Sequence, residues 1–403
     1  MKKLLISISI ISLVLMPGMS LASDKKEIDN FGSYFYNRYS SHFDKHGLVY
    51  SVPTYGIPNF IEADTARMWT SLATYYKYRA QAGDLKAKMI IRDSLFKALS
   101  ELSARPAKTQ SFNDAEALFL FIRMIESTPD LLNNSEQESA LGLMVKYIEA
   151  GILANDTENR AIVAGAHWQY INNYLYQKGK INIHIKKHFD ELIKQKVDKG
   201  IKESIFVTEG WYFEDNKKAF SVHYHTISAF MLLIYGDLTN QQYYSSLAEK
   251  MYFNIKKISF KNGMVEAKLG ARPIGLGAQF YLAMAFLGNR FSDNDYQTYL
   301  FYASGNRFFS DKKYPNRLEF HSTIESSSPN YHDDYAFCDV FELGLINNKL
   351  RDMEISYKVY LSQPKTKSND KYFKVTNLGN IIFVNNQKNY LGSQGNWSHL
   401  FKK

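Results

Sequence analysis

The sequence predicts a mainly α-helical protein: an incomplete or complete (α/α) toroid of helical hairpins, with a small antiparallel β element at the C-terminal end. Three observations predict it. Apolar residues recur at three- and four-residue steps in one segment after another, each of ordinary globular helix length. The connections between segments alternate between short and longer, which stacks hairpins side by side and puts the longer loops on one rim. No strict internal repeat is present, which excludes repeat families with consensus signatures. The 403 residues suffice for one large core.

Taken in order, the chain opens with Lys2 and Lys3, an almost continuously apolar run from Leu4 to Leu15, and Ser20-Leu21-Ala22. This pattern reads as a signal peptide, residues 1–22, cut after about Ala22. The run is too short to span a bilayer comfortably, so no membrane anchor is expected after cleavage. The expected location is the periplasm or the exterior. A lone cysteine, Cys338, cannot close an internal disulfide, so the core must hold the fold.

Residues 23–350 form the expected toroid domain. Phe31, Tyr34, Phe35 and Tyr39 repeat at helical spacing. A loop from Gly47 to Phe60, with Pro53, Gly56 and Pro58, delivers Glu62 and Asp64 to the next helix. Helices are predicted over Thr65 to Gln81, Leu85 to Ala104, Asn113 to Ile125, Glu136 to Ala150 and Thr157 to Gln177. They continue over Ile183 to Lys199, Phe220 to Tyr235, Asn240 to Phe253, Pro273 to Leu287 and Asp293 to Ser304. Pro273 suits a helix start, where its missing amide would be unpaired anyway. From about Arg351 alternation replaces the helical period. Ile355 to Tyr360, Tyr372 to Val375 and Gly379 to Gln387 predict a small β region, residues 351–403, packed on the helical body.

The net charge is +9, or about +7 without Lys2 and Lys3, and the chain carries 29 Tyr, 27 Phe and 4 Trp. A basic, aromatic-rich exported protein suits an acidic polysaccharide or oligosaccharide, held by charge and by rings. Nucleic acid is not the expected partner, because the Lys and Arg residues are spread and no nucleic-acid motif is present. A nucleophile elbow, a Walker loop and a dinucleotide fingerprint are all absent, which lowers the serine-hydrolase, nucleotide-enzyme and oxidoreductase classes.

Two stretches carry chemistry. In the first, Arg160, Val163, Ala164, His167 and Trp168 lie close on one helical side, with Asn172 and Asn173 further along. A histidine, an indole and amides along one helix can bind sugar; a histidine hydrogen-bonded inside the bundle fits the same pattern. The second runs from Gly210 to Tyr235. Glu209, Glu214 and Asp215 offer acid, base or nucleophile, and Trp211 and Tyr212 offer sugar platforms. His223 and His225 share a face if the segment is extended, with Tyr224 opposite; a helix starting earlier changes that relation. Arg272, ahead of Gly275-Leu-Gly277, offers a clamp for a uronate carboxylate. His223-x-His225 with His167, or the Tyr331 to Tyr335 segment, could ligate a divalent ion, but no spacing matches a zinc signature. No metal and no cofactor are expected.

On these residues the chain resembles the α/α-toroid polysaccharide lyase superfamily, of the alginate lyase and heparinase II/III-like kind. The resemblance covers the layout of roughly residues 60 to 340. In that family an Asn-plus-His motif on one helix precedes a site rich in Tyr and His; here the matching positions are Asn159 or Asn173, His167, Tyr224 and His225. Asn172-Asn173 is followed by Tyr174, so the family's contiguous Asn-Asn-His is absent, and the large C-terminal β domains of many such lyases are missing or reduced. The resemblance implies β-elimination on a uronic-acid polymer, with His167, Tyr224 and His225 as catalytic groups. Asn159, Arg160, Trp168, Asn173, Trp211, Tyr212, His223 and Arg272 would then bind substrate. The alternative on the same toroid is a glycoside hydrolase with paired carboxylates drawn from Asp64, Asp114, Glu158, Glu209 and Glu214. A third reading is a non-catalytic polysaccharide-binding or assembly protein.

Overall fold

The computed structural model describes residues 65–104, 112–128, 130–217, 219–259, 278–296, 298–299, 310–311, 314–318 and 331–346. The signal peptide, Asp64, Arg272 and the C-terminal β region lie outside the described residues. The helices are α1 (Thr65–Gln81), α2 (Leu85–Ala104), α3 (Phe112–Ser127), α4 (Asn134–Leu153), α5 (Glu158–Gln177), α6 (Ile183–Ser204), α7 (Val222–Thr239), α8 (Gln242–Lys257), α9 (Ala278–Arg290) and α10 (Tyr331–Gly344). Short strands β1 (Ile205–Phe206), β2 (Trp211–Phe213) and β3 (Ala219–Phe220) form an antiparallel sheet between α6 and α7, and β4 (Ser310–Asp311) pairs with β5 (Tyr314–Leu318).

Among the described residues, six helices form an inner ring. α1, α3, α5, α7, α9 and α10 pack side by side in that order, and α10 returns to α1. α2, α4, α6 and α8 lie outside them, α2 on α1, α6 on α5 and α8 on α7. Burial follows from this placement. α7 buries every residue from His225 to Gly236, as a helix surrounded on all sides must. α6 buries a single stripe, Phe189, Ile193, Lys196, Val197, Gly200, Ile201 and Ser204, and turns the rest to solvent.

Buried charges show that the inner helices run parallel and in register. Near their N-terminal ends Arg67 of α1 pairs with Glu116 of α3, and its guanidinium reaches Asn113 at 3.4 Å. At mid-depth His167 of α5 meets Asp339 of α10, Nε2 to Oδ1, at 2.5 Å. α5 and α10 stand three places apart in a ring of six, so this contact crosses the axis. Deeper still, Glu342 of α10 pairs with Lys77 of α1 and with Arg123 of α3 at 3.2 Å. The ring is therefore filled, and a ligand can approach the mid-depth pair only from one end or the other.

Those ends differ. Short turns such as 82–84 and 240–241 connect inner to outer helices at the C-terminal end of the ring. Longer connections such as 205–221 lead into inner helices at the N-terminal end, which we call the mouth. Side-chain caps set several helix boundaries. Asn133 and Glu136 form a reciprocal capping box on α4, and Asn182 accepts the amides of His184 and Ile185 on α6.

The α4–α5 contact depends on a glycine. A Cβ at Gly151 would lie 2.1 Å from Cζ2 of the buried Trp168 ring. Gly151→Ala is expected to cost about 1–3 kcal/mol through overpacking, read as a lower urea midpoint at unchanged slope. An unchanged midpoint would contradict this packing.

Candidate functional site

At the mouth, chain direction is set by Ser221. Its side chain accepts the Tyr224 amide at 3.4 Å and starts α7 at Val222. Before it, β2 pairs with β1 (Ile205 opposite Tyr212, Phe206 opposite Trp211) and with β3 (Phe213 opposite Phe220). The β2–β3 link is a left-handed turn: Asp215, Asn216 and Lys217 have φ of 52°, 53° and 67°. Each such non-glycine residue costs about 1–3 kcal/mol, although Asp and Asn tolerate the region best. Two contacts hold the turn. The Asn216 amide donates to Oε1 of Glu158 at 2.9 Å, and the Lys217 ammonium sits 4.9 Å from the centre of the Phe206 ring. Glu158 is itself left-handed, with φ of 52°, and its amide donates to Glu203 at 3.0 Å.

The result is a cluster around the Tyr212 hydroxyl, which donates to Oδ1 of Asn159 at 3.3 Å. Burial raises the Tyr212 pKa far above its ordinary value, and the neighbouring Glu214, Glu158 and Tyr224 push it in the same direction. Tyr212 therefore stays protonated, a hydrogen-bond donor and not a base. Glu214 is buried, Glu158 is partly exposed, and Tyr224 and His223 are partly exposed with ring centres 5.4 Å apart. Along the rim toward α3, the guanidinium groups of Arg160 and Arg67 lie 5.7 and 6.0 Å from the centre of the Phe112 ring. Asp114 is buried one turn into α3. Two carboxylates beside a protonated phenol, an amide and an exposed arginine can bind a hydroxylated ligand and move protons on it.

No family model and no curated protein matches the sequence. Solved structures do match. An unsaturated glucuronyl hydrolase specific for heparin superposes with a TM-score of 0.57 at 9% identity, over 83% of this chain and 98% of that one. A variant unsaturated glucuronyl hydrolase from Streptococcus agalactiae, in complex with dGlcA-GalNAc6S, gives 0.53 at 10% identity, over 85% and 97%. An α-1,6-mannanase of glycoside hydrolase family 76 from Salegentibacter sp. HEL1_6 gives 0.52 at 11% identity, over 79% and 98%. The chain is an (α/α) toroid.

The toroid gathers Glu158, Asn159, Tyr212, Glu214, His223 and Tyr224 at its mouth, with Arg160 on the adjoining rim. It places the other expected residues elsewhere. His223 and His225 do not share a face, because both lie in α7, where two residues are about 200° apart. His225 is fully buried. Its Nδ1 accepts the Tyr212 amide at 3.1 Å, and its Nε2 donates to the Met251 carbonyl at 2.9 Å. No ring nitrogen is left for substrate or metal. His167 is likewise engaged, at Val163 O (2.8 Å) and at Asp339. Trp168, Trp211 and Tyr212 are core residues, 0%, 3% and 0% exposed, and offer no stacking face to a sugar. Asn173 donates to the Leu238 carbonyl at 3.3 Å, at the far end of the ring from the mouth. Glu209 lines a groove on the outer wall. Among the described residues no group of three or more His, Cys, Asp or Glu side chains is arranged to hold a metal ion, and no helix is long and apolar enough to cross a membrane.

Arg67, Asn113, Glu116 and Asp339 were not singled out in the sequence. A signal existed: each is a polar residue in a segment otherwise rich in apolar side chains, where a buried charge needs a partner.

His225 carries a pH consequence. Burial lowers its pKa from 6.5 to about 4. Above the unfolded value neither state is charged and the full stability is present. As pH falls from 6.5 toward 4 the unfolded chain takes a proton that the folded chain refuses, so stability drops, by about 3 kcal/mol over the whole window. His225→Gln keeps one acceptor and one donor and removes this proton. The unfolding free energy of the variant is expected to fall less between about pH 7 and about pH 5 than that of the native chain. Parallel pH dependences would refute this assignment.

Proposed function

We propose that the toroid is an exported enzyme that cleaves glycosidic bonds in an acidic polysaccharide, by hydrolysis at its mouth. One observation carries the reading: the Tyr212 hydroxyl donates to Asn159 and the Asn216 amide donates to Glu158, which brings Glu158 and Glu214 together at the N-terminal end of the inner ring. Glycoside hydrolysis needs one carboxylic acid to protonate the leaving oxygen and one carboxylate to activate water or attack the sugar. Glu214, buried at 4% exposure, takes the acid role. Glu158, partly exposed and already accepting the Asn216 amide, takes the carboxylate role. Asn159, held from beneath by the buried Tyr212 hydroxyl, orients a sugar hydroxyl, and Arg160 on the rim attracts the anionic group. The fold neighbours named as a glucuronyl hydrolase and a mannanase support a carbohydrate substrate, and the net charge of +9 supports an acidic one.

The lyase reading retains one favourable observation: Tyr224 stands at the mouth close to Tyr212. It lacks the two histidines that the resemblance assigned to it, since both are internal. The test is turnover of a panel containing alginate, polygalacturonate, hyaluronan, heparin and a neutral mannan. Cleavage that survives Tyr224→Phe and disappears in Glu158→Gln supports the carboxylate pair; the reverse supports elimination by Tyr224. Binding of a glycan with no cleavage anywhere on the panel would leave only the binding-protein class.

A further inference from the structure

The three-stranded sheet that backs the mouth has a second side. β1 and the residues after it line an open groove of about 740 Å³ in the outer wall, between α6 and α8. Among the lining residues Lys194 is paired with Asp198, which also accepts the Tyr244 hydroxyl at 2.7 Å. Lys202, Lys217 and Glu209 have no ion-pair partner among the described residues. Thr208, which lines the groove, has its carbonyl held by the exposed Lys250 at 3.1 Å. Two apolar side chains of the groove are exposed, Val207 at 37% and Tyr243 at 52%. The groove thus combines an exposed phenol ring, the ammonium groups of Lys202 and Lys217, and carboxylates that can accept hydroxyl protons, a set that suits a sugar carrying an acidic group.

The groove is joined to the mouth through a few residues. Phe206 and Lys217 line it, whereas Tyr212, which pairs with β1, and Glu214, at the start of the turn that ends in Lys217, belong to the mouth. We propose that this groove is a second binding site for an anionic glycan, holding a distal stretch of the polymer whose scissile bond lies at the mouth. The proposal rests on the glycan reading of the mouth. It adds that affinity grows with chain length, because a short fragment occupies the mouth alone while a polymer also engages Tyr243 and Lys202.

The test compares the native chain with Tyr243→Ala/Lys202→Glu. Both positions are on the surface and outside the mouth. Binding of end-labelled alginate, polygalacturonate, hyaluronan and heparin is measured by fluorescence anisotropy, each as polymer and as disaccharide, with cleavage of the same samples followed in parallel. The expected result is a loss of about tenfold in polymer affinity, comparable to removing one anchoring aromatic side chain. Disaccharide affinity is expected to stay unchanged. Equal affinities of the two proteins for every polymer, no binding of any anionic polymer by the native chain, or equal losses for polymer and disaccharide would each overturn the groove. Native cleavage with unaltered polymer affinity in the variant overturns the groove and leaves the mouth reading intact. A length-dependent loss of binding with no cleavage by the native chain supports the groove and counts against the hydrolase.

Discussion

Glu214→Gln is expected to lower kcat on the cleaved glycan by about 10²–10⁴-fold, the usual worth of a positioned general acid. The substitution keeps the shape of the side chain and removes its transferable proton. Glu214 is 4% exposed and lies in the field of the Tyr212 hydroxyl, which also feels Glu158. A group so placed acts on a bond held at the mouth and cannot be replaced by bulk water. Two controls accompany the measurement. Glu209→Gln, on the outer-wall groove, should leave kcat on a short fragment unchanged. The thermal midpoint of Glu214→Gln should stay within a few degrees of native, roughly 1 kcal/mol or less. A Glu214→Gln protein that turns over at the native rate would remove the acid from the scheme.

The second large effect concerns stability. Asp339→Ala is expected to cost about 3–5 kcal/mol, the penalty for leaving one member of a buried ion pair alone. His167 and Asp339 are 0% and 1% exposed and meet across the ring axis. His167 also faces the Val163 carbonyl through Nδ1, so acceptors lie at both ring nitrogens. A neutral imidazole has one N–H. The second hydrogen bond therefore requires a further proton, shared between His167 and Asp339, and removing the carboxylate removes its acceptor. The paired change His167→Leu/Asp339→Leu should recover much of the loss, because two apolar side chains need no partner. Urea unfolding of the three variants measures this directly. A loss below about 1 kcal/mol in Asp339→Ala, typical of an exposed pair, would contradict a buried axial contact.

The sequence periodicity was sufficient for the ring because burial in an inner helix and in an outer helix leave different patterns. Thr65–Gln81 and Leu85–Ala104 match the expected bounds, and the toroid, expected as incomplete or complete, closes on itself. Ends were less legible where a cap decides them. The α7 start moved from Phe220 to Val222 because Ser221 supplies the capping oxygen, and His223 and His225 are helical with either start. The sheet was missed because two- and three-residue strands carry no alternation to read. Site residues were the least legible. A local motif such as His167-Trp168 shows which side chains share a helix side, but not whether that side meets solvent, the ring axis or an outer helix. Trp168 packs at Gly151 while His167, one residue earlier, reaches Asp339. The abundant aromatic residues were read as sugar platforms, yet the described tryptophans Trp69, Trp168 and Trp211 are all buried, so most of this composition reflects the core.

The chemistry of the new chain ends tests the central claim most directly. The native protein is incubated with the acidic glycans of the panel, and reducing ends are counted alongside the ultraviolet absorbance of unsaturated uronides. Hydrolysis by Glu158 and Glu214 predicts that reducing ends accumulate with no matching rise in absorbance, and that both signals stay flat in Glu214→Gln. Absorbance rising in step with reducing ends, undiminished by Glu214→Gln, would contradict the account and return the mouth to a tyrosine-driven elimination.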